Sequence, residues 1–315
     1  MTFSNGTDAH MVYAIESSPG TRTTPSIAVP LISESMQDNG SKPLWHPGII
    51  KGRRTRHGFD RTKSDVGGQV AVPLTAESIG SLLRAGIGSV STTGASSPYE
   101  HELTPGAPDA FSMQIGWEDS GGTDFRKDYI GCLIDGMTID VQADQHPTLQ
   151  MDIKALSEED DAYTAITPSY ASLTYFEFSD FVLAFDGGAD ECFDTASISW
   201  ANNLYQSPAI CPSTPRATKY EDSGNHMVTG TIGQDFTAFT KYAKFAAGTA
   251  ATLQVTGTAG SSAIIDIEMA IVFTGETPQV TGPERIKQGL PFEVVSGTDD
   301  ATAITVTLTS ADSSI

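Results

Sequence analysis

The chain holds 315 residues with 39 acidic and 18 basic side chains, a formal net charge of −21 at neutral pH. A surface that negative repels nucleic-acid phosphates, and 39% hydrophobic with 18% charged residues is the composition of a folded chain, not a disordered one. No apolar run approaches the roughly 18 residues that a membrane-spanning helix needs.

The first residues, MTFSNGTDAHMVYAIESS, lack the basic head and apolar centre of a signal peptide. In PSIAVPLISESM (25–36), Ile27, Val29 and Leu31 alternate as in a half-buried strand before the phase shifts at Ile32. KGRRTRHGFDRTK (51–63) then packs six of the eighteen Lys and Arg into thirteen positions. GQVAVPL (68–74) reads as a strand leading into a helix, TAESIGSLLRAGIG (75–88). There Ile79, Leu82, Leu83 and Ile87 share one face, Thr75 stands as N-cap, Glu77 sits in the first turn and Gly86 or Gly88 ends the helix. DAFSMQIGWED (109–119) places Phe111, Met113, Ile115 and Trp117 on one side of a strand. In CLIDGMTIDVQAD (132–144) the pair Asp135-Gly136 predicts a two-residue hairpin turn, and PTLQMDIKAL alternates after it.

The acidic SEEDDAYTAIT (157–167) reads as a linker, or as a solvated turn capping a strand. Further strands are expected in LTYFEFSDFVLAF, TASISWANNLY, HMVTGTIGQDF, ATLQVTGTA, IIDIEMAIVF and TAITVTLTS. DGGADE (186–191) lacks the alternating ligands and closing Glu of a calcium loop and reads as a hairpin turn. A second helix is predicted in TAFTKYAKFAAG (237–248), with Phe239, Tyr242, Ala243 and Ala246 on one side, Thr237 as cap and Gly248 as terminator.

The two helices belong to related segments. A shift of 162 positions aligns 54–86 with 216–248 without a gap and gives eight identities in 33, among them Arg54/Arg216, Val66/Val228, Gly68/Gly230 and Thr75/Thr237. The shift is about half the chain, and both segments run basic stretch, strand, cap, helix, glycine. This predicts an internal duplication. The expected fold class is mainly β: two tandem antiparallel β-sandwich or barrel domains, each with one flanking α-helix. They would occupy residues 1–157 and 168–315, with a linker at 158–167.

Chemistry is hard to place on this chain. The six histidines have no metal-ligand spacing, and no nucleophile elbow, phosphate-binding loop or dinucleotide fingerprint occurs. Cys132, Cys192 and Cys211 are odd in number and far apart, which argues against disulfides and zinc and fits a reducing cytoplasm. The expectation is no enzyme, no metal and no cofactor. Residues 51–63 hold one aromatic and precede a strand, unlike a nucleic-acid-binding surface. Outside them the chain carries 38 acidic and 12 basic residues, so a complementary partner exists in any second copy. The stretch is read as a subunit contact through Arg53, Arg54, Arg56, Arg61 and Lys63, with Arg216 and Lys219 equivalent in the second repeat; the bland alternative is a solvated loop.

The order of motifs resembles a known family. GRRTRHGFDRTKSDVGGQVAVPLTAESIGSLLRAGIG, the FSMQIG strand, YIGCLIDGMTIDVQADQHPTLQMDIKALS and the closing IDIEMAIVFTGETPQVTGPERIKQGLPFEVVSGTDDATAITVTLTS are similar to major tail tube proteins of long-tailed, siphovirus-type phages. The resemblance implies a non-catalytic virion protein, assembled in the host cytoplasm, whose rings stack into a hollow tube for DNA passage during ejection. It implies six tube units per ring, supplied by three copies of a duplicated chain. It also implies a tape measure protein in the lumen, tail-terminator and tail-tip proteins at the ends, and DNA that transits without specific binding. The competing readings are a decoration or adhesin-like β module and, further off, a carbohydrate-active enzyme on a β-sandwich.

Overall fold

The structure, a computed structural model, describes residues 6–38, 43–45, 59–61, 65–118, 124–160, 166–170, 172–208, 218–221, 226–275, 285–295 and 303–315. The first half runs β1 (His10–Ile15), β2 (Ile27–Val29), β3 (Ser33–Glu34), β4 (Gln37–Asp38), β5 (Pro43–Trp45), β6 (Phe59–Arg61), β7 (Val66–Pro73), α1 (Gly80–Ile87), β8 (Gly88–Thr93), β9 (Tyr99–Pro105), β10 (Phe111–Glu118), β11 (Asp124–Gln142), β12 (Thr148–Ala155) and β13 (Ser157–Asp160). The second runs β14 (Phe181–Phe185), β15 (Thr195–Ala201), β16 (Tyr205–Pro208), β17 (Thr218–Glu221), β18 (Met227–Asp235), α2 (Thr240–Ala247), β19 (Ala251–Thr258), β20 (Ile264–Phe273), β21 (Lys287–Val294) and β22 (Ile304–Ser310).

All pairings among the described residues are antiparallel. One sheet is ordered β3/β4–β7–β12–β11–β15–β18–β21 and a second β8–β9–β22–β20–β19–β14. They join where Ile271–Phe273 pair with Phe292–Val294. A third sheet, β2–β1–β10–β11–β13, shares the long strand β11. The mainly β, antiparallel architecture expected from the alternating segments is what the chain adopts. The two halves also share sheets: β11 pairs with β15, and β22 lies between β9 and β20. One buried cluster extends from Met11 to Ile315 and draws on both halves.

Hydrogen-bond register repeats along the chain. Ser33 faces Ala71 and Gln37 faces Gly67, and 162 residues on Thr195 faces Gly233 and Ser199 faces Thr229. On the other side of the same strands, Pro73 faces Thr148 and Asp235 faces Lys287. Just beyond, Leu74 N–H donates to the Pro147 carbonyl at 3.0 Å and Phe236 N–H to that of Ile286 at 2.9 Å. The β7–α1–β8–β9 order therefore recurs as β18–α2–β19–β20.

Two local expectations change. Asp135-Gly136 is not a hairpin turn, because β11 continues through it with a register shift between Ile134 and Gly136. Residues 128–134 are buried on both faces before it, whereas Met137, Ile139 and Val141 alternate with less buried positions after it. A bulge absorbs that shift and re-aims the strand, whereas a turn would reverse it. Asn202 closes the bulge from the second half: its N–H donates to the Asp135 carbonyl at 2.7 Å and its Nδ2 to the carbonyls of Ile134 and Gly86, each at 2.8 Å.

The helices also begin later than predicted, at Gly80 and Thr240. Thr75 does not cap α1; its Oγ1 donates to the Glu77 carbonyl at 2.8 Å, and Ser78 turns the chain at φ 71°. Gly88 and Gly248 end the helices at positive φ, as glycine permits. The connection is residues 74–79 in the first half and 236–239 in the second, so the aligned repeat loses two residues there.

Burial separates the two helices. Seven of the eight α1 residues are buried, whereas α2 buries none. Residues from the far end of the chain cover α1: Arg84 Nη1 donates to the Ile315 carbonyl at 2.8 Å, and the Asp312 carboxylate accepts from Ser78 N–H at 2.9 Å. Of the acidic stretch, Ser157–Asp160 form an edge strand on β11, while 161–165 lie outside the described residues.

Candidate assembly surfaces

Of the basic positions singled out in the sequence, Arg53, Arg54, Arg56, Lys63 and Arg216 lie outside the described residues. Arg61 ends β6 opposite Pro43, and Lys219 lies in β17 opposite Ser207. Both strands belong to two-stranded ribbons apart from the large sheets, and each ribbon precedes the central strand of its repeat, β7 or β18. A ribbon of two strands is marginal on its own, so it depends on what it packs against. Tyr220 supplies that contact for β17. It is buried against Ala110 and Leu133, and its hydroxyl donates to Asp65 Oδ1 at 3.2 Å.

Several cations elsewhere are already paired within the chain. Lys127 meets Glu158 at 2.7 Å and Asp160 at 2.5 Å, Arg84 meets Asp109 at 2.8 Å, and Lys287 meets Asp194 at 2.7 Å. Hydrogen bonds from Lys127 to Asp160 and Glu158 raise the lysine pKa above its ordinary value. Two lysines pin α2: Lys244 to Asp186 at 2.6 Å and Lys241 to Glu191. Asp186 and Gly187 both have positive φ, and the Gly188 N–H donates to the Phe185 carbonyl at 2.9 Å, so the expected turn at DGGADE presents these acids to the helix.

Beside α2 lies a cavity of about 330 Å³ lined by Phe185, Glu191, Gln234, Thr237, Ala238 and Lys241, among others. Lys241 Nζ sits 4.4 Å from the centroid of the Phe185 ring. Gln234 is 4% exposed, and its Oε1 accepts no hydrogen bond among the described residues. On another face, Pro30, Leu31, Tyr170, Leu173 and Tyr175 line an open apolar groove.

No group of three or more His, Cys, Asp or Glu among the described residues is arranged to hold a metal, and no helix is long and apolar enough to cross a membrane. Burial pushes the Cys132 thiol well above its ordinary pKa, away from reactivity. Cys192 is exposed and Cys211 lies outside the described residues. His101 is buried between Thr92 and the Asp312 carbonyl, 2.9 Å from each, in a structural role.

Two ribbons thus stand apart from the large sheets, and of the two helices only α2 lies uncovered among the described residues. A sequence model of the family described as phage tail tube protein matches residues 6–294. The chain belongs to the phage tail tube protein family. No curated protein matches it. This tail tube protein is a structural subunit whose place is the virion tail. Its family is one of structural proteins that assemble with copies of themselves and with other tail components.

Sequence reasoning did not find the exposure of α2 or the cavity beside it. With Gly88 and Gly248 matched as terminators, Tyr242 and Ala243 stand where α1 has Leu82 and Leu83. That loss of aliphatic bulk was the available signal.

Proposed function

We propose that this tail tube protein forms rings of three copies, each copy giving two tube units divided near residues 158–167, and that the rings stack around a lumen through which DNA leaves the capsid. The repeated register of β3/β4–β7–β12 and β15–β18–β21 carries this reading, because two like units per chain fill a six-unit ring three chains at a time. The lumen holds the tape measure protein during assembly, and terminator and tip proteins close the two ends. A net charge of −21 per chain keeps transiting phosphates from adhering, and the subunit does no catalysis and carries no cofactor.

Within or between rings, Arg53, Arg54, Arg56, Arg61 and Lys63, with Arg216 and Lys219, meet acidic surface of a neighbouring unit. Each exposed pair contributes only about 0–1 kcal/mol, but a polymer repeats the contact. Native mass measurement of isolated rings tests the stoichiometry. A mass of three chains with pseudo-sixfold images is expected; six chains per ring would refute the two-unit reading.

A further inference from the structure

The strand-to-helix corner after β7 is closed by a distant part of the chain. Ala76 N–H donates to the Thr174 carbonyl at 2.9 Å, Phe176 N–H donates to the Leu74 carbonyl at 3.2 Å, and Thr75 and Tyr175 form an antiparallel bridge. The buried Glu77 carboxylate accepts from Thr174 N–H at 2.7 Å and from its Oγ1 at 3.3 Å. Phe176, 1% exposed, is thereby seated in the core. An extended segment ahead of the second repeat plugs the corner of the first.

The corresponding corner after β18 has the same strand-side bond, Phe236 to Ile286, but no such plug among the described residues. Thr237, Ala238 and Thr240 instead border the cavity, whose mixed lining sets Phe185, Ala251 and Phe273 beside the Lys241–Glu191 and Lys244–Asp186 pairs. The unpaired Gln234 Oε1 is buried beside it. A buried acceptor without a donor destabilises the fold, and an N–H from outside would remove that penalty. Phe239, next in the chain, is 62% exposed.

We infer that this corner is a socket for an extended segment of a second copy of the chain, which inserts an apolar side chain as Phe176 is inserted and donates a hydrogen bond to Gln234. The occupant is another copy because this polypeptide already forms such a contact once, between the first corner and the segment leading into the second repeat. A plug on one copy and a socket on the next make a heterologous contact of the kind that builds rings. The inference rests on self-assembly of the tail tube protein.

Amide hydrogen exchange on the full chain, before and after assembly, tests it together with two substitutions. Exchange at 236–240 is expected to slow on assembly. Ala238→Trp, which blocks the mouth, and Gln234→Leu, which removes the acceptor, are each expected to raise the concentration needed for assembly about ten-fold. Gln234→Leu should not lower the melting temperature of the unassembled chain, since it removes an unsatisfied buried group. Unchanged exchange in the assembled wild type, or normal assembly of either variant, overturns the socket and leaves the tube reading standing. A wild-type chain that never assembles overturns both.

Discussion

Gly68 lies so close to Ser35 that a Cβ on the glycine would come within 2.4 Å of the serine carbonyl oxygen. The same contact recurs 162 residues on, where a Cβ on Gly230 would come within 2.5 Å of the Ser197 carbonyl oxygen. Backbone cannot retreat as a flexible side chain can, so Gly68→Ala and Gly230→Ala should each cost about 1–3 kcal/mol. Urea denaturation of the two variants checks this. Loss of stability in one alone would break the equivalence.

The helices separate folding from assembly. Leu82 is fully buried in α1, so Leu82→Asp should destabilise the chain by several kcal/mol, roughly the cost of burying an unpaired carboxylate. Phe239→Asp should cost only about 1 kcal/mol, because that ring is mostly exposed and loses just its edge contacts with Phe236 and Tyr242, yet it should weaken association beside the α2 corner. Thermal unfolding and sedimentation velocity on the same samples separate the two effects.

Acid should loosen α2. The hydrogen bond from Lys244 holds the Asp186 carboxyl below its ordinary pKa. A group with a lowered folded pKa contributes stability above its unfolded value, and that contribution disappears as pH falls through the folded one. Protection of the 240–247 amides, taken relative to their intrinsic exchange rates, should therefore fall below about pH 4, the ordinary carboxylate range. Asp186→Asn should show faster exchange at neutral pH and a flatter acid response.

Replacing Arg54, Arg56 and Arg61 with Ser should leave monomer stability nearly unchanged and sharply reduce tube formation. Electron microscopy at matched concentrations checks the outcome. Salt is a poorer probe, because it screens the proposed attraction while relieving repulsion between chains of charge −21. Tubes that form normally from the triple variant would remove the basic contact.

What was legible in the sequence was local. Ile27 and Val29, or Phe111, Met113 and Ile115, declare strands by alternation, and Gly88 and Gly248 declare helix ends. Gly68 and Gly230 were visible as an identity, though not their reason, which lies in the Ser35 and Ser197 backbones. Partners from elsewhere in the chain were not legible. Ser112 and Gln114 alternate with the apolar residues of β10, yet both are buried; Ser112 donates to Glu16 at 2.6 Å and Gln114 to Asp128 at 2.8 Å. Asp135-Gly136 has turn chemistry, but pairing with β12 on one side and β15 on the other holds β11 extended. The α2 sequence has helical spacing, and spacing alone does not say what covers a face.

The length of β11 has a mechanical consequence. Its 19 residues, at about 3.3 Å each, extend roughly 60 Å and leave one sheet to enter another. Tension applied along this strand loads the flanking ladders to β10, β12, β13 and β15 in shear, so many hydrogen bonds must yield together and not one by one. The strand acts as a tie-rod, because strain arising in one repeat is borne by both.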